Sequence, residues 1–153
     1  MQHKKEKLEY RMYGFTNYQL SPIQTGIQFG HAVVEYSIKY QKTIEYKKWS
    51  TKDKTFIILN GGTTNDKTIG GLQHIVNFLK GYKIPHTTFR EPDLNDTLTA
   101  VTFLVDERVW DSKKYPITLE EDKTPSEYKN VLGADWKAII ELKNFLSKCK
   151  LAS

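Results

Sequence analysis

The chain has 153 residues, the usual size of one domain and long enough to fold without staples. Its 39% hydrophobic, 12% aromatic and 27% charged residues describe a globular protein and exclude a disordered one. Its net charge of +5 suits an anionic partner, while the single Cys149 excludes a disulfide framework and a cysteine-based zinc site. No apolar run approaches the ~18–20 residues of a membrane span. The start, MQHKKEKLEY, is basic with no apolar stretch behind it, so it does not read as a secretory signal. No membrane association and a reducing cytoplasm are the expectations.

In chain order, residues 11–16 read as a first strand, with Tyr13 and Phe15 spaced by two. Ser21 is suited to N-cap a helix that has Pro22 at its first position. Ile23, Ile27, Val34 and Ile38 recur at helical spacing and predict the inward face of that helix, which runs to about Tyr40. The continuously apolar run TFIILN, residues 55–60, predicts a central strand buried on both faces. Asn60 to Asp66 (NGGTTND) lacks the lysine and spacing of a phosphate loop and reads as a connection. Leu72, Ile75, Val76 and Leu79 mark a second helix, stopped by Gly81. Strands are expected at 87–90 and 98–105. A third helix over 135–149 turns Ile139, Leu142, Phe145, Leu146 and Cys149 inward, which makes Cys149 a core residue. This order predicts one α/β domain over 1–153. Its sheet is expected to be mixed and mostly parallel, flanked by helices, with a further C-terminal helix. In such sheets the working site lies at the carboxyl ends of strands, near helix N-termini.

Charge is uneven along this order. Residues 39–54 carry six lysines, Lys47 and Lys48 among them, against two acids. Residues 91–127 carry ten acids against four bases. The first stretch, which also holds Tyr40, Tyr46 and Trp49, is the expected anion-binding surface.

Two clusters could carry chemistry. On the first helix Gln28 and His31 are three apart and share a face. Gly26 and Gly30 lie on the same helix, where each costs up to about 1 kcal/mol against Ala, so close approach by another group is expected to compensate. The second cluster is TFREPDLNDTLTA, residues 88–100. It reads either as a turn with self-capping side chains or as a site. The histidines show no metal-ligand spacing, and no metal or cofactor is expected.

These pieces resemble the type 2 (archaeal and eukaryotic) peptidyl-tRNA hydrolases. The family opens its first helix with G-K-x-A-A-Q-x-x-H-A, and IQTGIQFGHA, residues 23–32, lines up with it without a gap and keeps Gln28, His31 and Ala32. A Trp-containing connection (Trp49), a second strand (KTFIILN) and a leucine-spaced helix follow in the corresponding places. TTFREPDLNDTLTAVTFLV, residues 87–105, stands where the family has V-x-D-A-G-x-T-Q and its last strand. The resemblance covers about residues 10–105 and leaves about 106–153 as a C-terminal helical addition. The family lysine is Gln24 here, the D-A-G triplet reads Glu91-Pro92-Asp93, and Thr99 matches the threonine that starts the last strand.

The resemblance implies hydrolysis of the ester joining a peptide to tRNA. His31, Gln28, Glu91 and Thr99 would form the catalytic set. His31 would act on the water, Glu91 or Asp93 would orient His31, and Gln28 would donate to the tetrahedral oxygen. Gln24, Arg90, Asp93, Asn95, Lys47 and Lys48 would contact the substrate. The loss of the lysine leaves a second reading open: a binding module of the same fold for a nucleotide or another small phosphorylated ligand, met by Arg90. A tRNA- or ribosome-associated protein acting through charge alone ranks third, because it leaves the polar loop without a role. A homodimer is compatible with the resemblance, since proteins of that fold commonly pair.

Overall fold

In the computed structural model, which describes residues 4–63 and 71–152, the alternating aromatics form strand β1 (Tyr10–Thr16). Helix α1 (Pro22–Tyr40) follows, with the Ser21 hydroxyl accepting the Gln24 N–H as an N-cap. A short helix α2 (Ile44–Lys48) and a π-helical turn (Trp49–Asp53) lead into β2 (Thr55–Asn60). Then come α3 (Leu72–Gly81), β3 (Thr87–Glu91), a 3-10 turn (Pro92–Leu94) and β4 (Thr97–Asp106). Three helices close the chain: α4 (Glu107–Trp110), α5 (Pro125–Leu132) and α6 (Trp136–Leu146). The connection read at residues 60–66 is described only through Thr63, and the rest lies outside the described residues.

The four strands form one mixed sheet in the order β2-β1-β4-β3. β1 and β2 are parallel, whereas β4 runs antiparallel to both β1 and β3. The sheet is therefore mixed but not mostly parallel. The turn at 92–96 is too short for a crossover, so β3 and β4 can only be antiparallel neighbours. β2 is an edge strand, not the central one, and Phe56 on it is half exposed. Residues 150–152 run beside that edge: Asn60 N donates to Lys150 O at 2.9 Å and Ala152 N to Ile58 O at 2.9 Å. This pairing satisfies backbone groups that an edge otherwise leaves to solvent. Its partner strand on the far side of the sheet, β3, has no such cover among the described residues.

Alternation along the strands sends side chains to two apolar layers. One holds Tyr10, Met12, Phe29, Tyr36 and Trp49 under α1 and the α2 turn. The other holds Tyr13, Phe15, Val101 and Phe103 under α3 and α6. Ile139, Ile140, Leu142, Tyr128 and Leu132 belong to this second layer, so the C-terminal helices complete the sheet's own core. Arg108 fastens them. Its buried guanidinium donates to both Asp106 carboxylate oxygens (2.9 and 2.8 Å), to Asp135 Oδ1 (2.6 Å) and to Leu132 O (2.7 Å). The Cys149 thiol donates to Phe145 O at 3.4 Å, and burial pushes its pKa up.

The inward face of α1 is not the isoleucine stripe. Ile23, Ile27, Val34 and Ile38 are 78, 51, 56 and 64% exposed. Gln28, Phe29, Ala32 and Tyr36 are buried instead. What brings α1 onto the sheet is a glycine on the strand. A Cβ placed on Gly14 would lie 2.2 Å from the Phe29 ring. Gly26 and Gly30, by contrast, have nothing within 4 Å of such an atom, so no close neighbour compensates their helix cost. Opposite outcomes follow for one substitution type. Gly14→Ala is expected to destabilise by about 1–3 kcal/mol through overpacking against Phe29. Gly26→Ala is expected to stabilise by about 0.5–1 kcal/mol. Denaturant midpoints at constant m-value measure both.

Candidate functional site

The polar cluster assembles where α1 crosses the ends of β3 and β4. β3 and β4 pair in register from Thr87↔Thr102 to Phe89↔Ala100, then shift so that Arg90 faces Leu98. Thr99 is thus the extra residue of a β-bulge, a feature that re-aims side chains. Its carbonyl accepts the Asn17 N–H (3.1 Å) just past the end of β1. This places the cluster at the carboxyl end of β1.

Gln28 reaches this bulge from the buried face of α1. The Thr99 hydroxyl donates to Gln28 Oε1 at 2.6 Å. Gln28 Nε2 donates to Glu91 Oε2 at 2.9 Å. Glu91 Oε1 accepts the Asp93 N–H at 3.3 Å. Gln28 is only 7% exposed, and a buried amide needs a partner on each side. A carboxylate on one side and a hydroxyl on the other also fix which end is nitrogen. One Nε2 hydrogen goes to Glu91 and the other remains able to donate.

His31 lies one helical turn after Gln28 on the exposed side of α1. Its ring stacks on Phe89 with centroids 4.4 Å apart and planes at 17°. Among the described residues neither ring nitrogen makes a hydrogen bond. Contrary to the sequence reading, neither Glu91 nor Asp93 orients His31. Glu91 holds Gln28, Asp93 offers its backbone N–H to Glu91, and an aromatic face sets the imidazole plane. Phe89 is the residue that sequence reasoning missed. The signal was its place on the same strand face as Glu91, two residues away.

The structure therefore brings together His31, Gln28, Glu91 and Thr99, with Gln24 exposed one turn before Gln28 on α1. Arg90 is also nearby but on the opposite face of β3, where Nη1 donates to Asp96 O at 3.2 Å. Asp93 and Asn95 are exposed in the connecting turn. That turn is self-capped: Asn95 and Asp96 sit at φ 54° and 56°, a region these residue types tolerate, and the Thr97 hydroxyl donates to Leu94 O.

Lys47 and Lys48 are not brought to the site. The Lys48 ammonium donates to Leu8 O (3.0 Å) and pairs with Asp53 (2.9 Å), whose other oxygen accepts the Tyr10 N–H. These partners belong to the start of β1, and the site belongs to its far end. A seven-residue strand separates them by about 20 Å. The aromatics of the basic stretch are equally committed. Trp49 is buried and donates to Thr55 O at 3.0 Å, and the Tyr46 hydroxyl donates to Ser37 Oγ at 2.6 Å. Among the described residues no group of three or more His, Cys, Asp or Glu side chains could hold a metal ion, and no helix is long and apolar enough to cross a membrane.

The buried amide generates a coupling prediction. Gln28→Ala removes the nearer acceptor of the Thr99 hydroxyl (2.6 Å), which keeps the longer bond to Phe89 O (3.3 Å), and takes the Nε2 donor from Glu91, while Thr99→Val strands Gln28 Oε1. Each single change is expected to cost about 1–3 kcal/mol. The double variant should cost less than their sum, with a coupling of about 0.5–3 kcal/mol in a double-mutant cycle read by chemical denaturation.

No protein-family model matches this chain, and no curated protein sequence matches it.

Proposed function

We propose that the chain hydrolyses the ester between an acylated amino acid or peptide and the 3′ end of tRNA. The observation that carries this reading is the Thr99–Gln28–Glu91 chain of hydrogen bonds, which holds an amide donor one helical turn from an exposed histidine. The element order supports it too. A strand, a Gln/His-bearing helix, a Trp connection, a strand, a leucine-spaced helix and a last strand occur in the order that the resemblance implies, with β3 ahead of that last strand.

Ester hydrolysis needs a base for water, a donor for the oxyanion and an acid for the leaving alcohol. His31 takes a proton from water as the water oxygen bonds to the ester carbonyl carbon. The second Gln28 N–H donates to the resulting oxyanion, its amide held against rotation by Thr99 and Glu91. The tetrahedral intermediate collapses with cleavage of the bond to the ribose oxygen. The proton on His31 passes to that oxygen and frees the tRNA hydroxyl. Phe89 keeps the imidazole plane fixed through both transfers, a positioning role rather than a catalytic one.

The binding-module reading keeps one specific observation in its favour. Gln24 stands where the family has lysine, so no cation on α1 faces the reacting end. Turnover decides between the two. With N-acetylaminoacyl-tRNA and the protein in stoichiometric excess, acid-precipitable radiolabel on the tRNA is expected to fall with time. His31→Ala should slow that loss by about a hundredfold or more. An intact ester in the presence of the folded wild-type protein would sink the hydrolase reading.

A further inference from the structure

One cation of the predicted basic stretch, Lys39, meets two from outside it, Lys80 and Arg90. Lys39 of α1, Lys80 of α3 and Arg90 of β3 line a groove of about 510 Å³ along the open edge of β3, with Thr88 on its floor and Glu35 as its acid. All three cations are exposed. Among the described residues none forms a salt bridge. Among the described residues Arg90 donates to Asp96 O alone, and the Lys39 ammonium stands 5.3 Å from the Tyr40 ring centroid.

We infer that this groove holds the phosphates of single-stranded RNA on its way to the site. This assignment of the substrate strand rests on the hydrolase reading. Three positive charges against one make a local excess of two, carried on side chains long enough to track a backbone. Glu35 and Lys39 follow His31 at intervals of four along one side of α1. Lys39 therefore stands about 12 Å from His31 along the helix axis. Arg90 immediately precedes Glu91 on the strand. The groove thus begins within a few nucleotides' reach of the imidazole, which fits a strand whose 3′ end is being cleaved.

An open strand edge could instead take an extended peptide by strand addition. The observations favour RNA. The bulge between Phe89 and Arg90 breaks the regular register of β3, and flanking lysines are what proteins place on edges to discourage strand pairing.

The test measures binding of a short fluorescein-labelled single-stranded RNA by anisotropy across a salt series. Lys39→Gln/Lys80→Gln/Arg90→Gln should flatten the slope of log K against log salt by about 2, three contacts at about 0.7 each. The charge-matched control Lys113→Gln/Lys129→Gln/Lys148→Gln should keep more of the wild-type slope. Thermal unfolding confirms that both variants fold. Equal slopes for the two triple variants would overturn the groove, and so would displacement of the label by polyglutamate but not by unlabelled RNA. Turnover of the wild type, measured separately, distinguishes this inference from the reading it rests on. A flattened slope without any turnover would keep the groove and remove the hydrolase.

Discussion

One buried carboxamide sets the terms for this end of the molecule. Gln28 sits at a helix–sheet interface where an apolar side chain would cost nothing to bury, and an unpaired amide there costs about 1–3 kcal/mol per lost partner. Both partners must therefore arrive together, and each makes a demand on the sheet. The acceptor side needs Thr99 turned toward α1, which the bulge supplies by slipping β4 one residue against β3. The donor side needs a carboxylate at the last position of β3, which Glu91 supplies while also capping the turn that follows. Gly14 sets the depth. Because the Phe29 ring occupies the space a Cβ would take, the preceding residue, Gln28, stands close enough to reach the sheet.

The rest of the structure holds that interface from behind. The C-terminal helices pack on the opposite face, and Arg108 ties both ends of their connection to Asp106 at the end of β4. A buried arginine is tolerable only when its donors are used, and here two carboxylates and a carbonyl take them. Residues 150–152 then lie along the outer side of β2. One edge of the sheet is covered by the chain's own backbone and the other is left open. The open edge is the one that carries Arg90 and ends at Glu91.

Much of this was legible because strong local signals agree with the fold. The limits of α1 follow from Ser21 and Pro22 at one end and the end of the apolar period at the other. The spacing of three does place Gln28 and His31 one turn apart on α1, but Gln28 lies on its buried face and His31 on its exposed side. What the sequence hid has physical reasons. Four β-branched residues outweigh a face made of glutamine, phenylalanine, alanine and tyrosine on any hydrophobicity count, so the stripe at Ile23, Ile27, Val34 and Ile38 reads as buried although the tight approach at Gly14 selects the other face. The run at residues 55–60 reads as central, but a strand can be covered by helices while its outer edge meets only a short chain segment. Hydrogen bonds over 63 and 71 positions, Gln28 to Glu91 and to Thr99, leave no trace in local pattern.

Charge shows the same gap between line and space. Counted along the chain, the basic stretch is residues 39–54, yet Lys48 is consumed by Asp53 and Lys47 lies at the wrong end of β1. Only Lys39 of that stretch lies along the groove at the open edge, where Lys80 and Arg90 join it from segments that read as unremarkable. Two acids of the stretch after residue 91 are taken up in the same way. Asp106 and Glu107 are buried in the structural networks of Arg108, Lys114 and Tyr115, so they present little field to a ligand. Around His31 itself the nearest ring is Phe89 and the neighbouring exposed ridge of α1 is aliphatic. Lys39 stands about two helical turns from His31, whereas Glu35 is one turn away on the same side of α1 and Arg90 directly follows Phe89 on β3. Proximity of charge is set here by which residues share a strand or a helix side, not by counts along the chain.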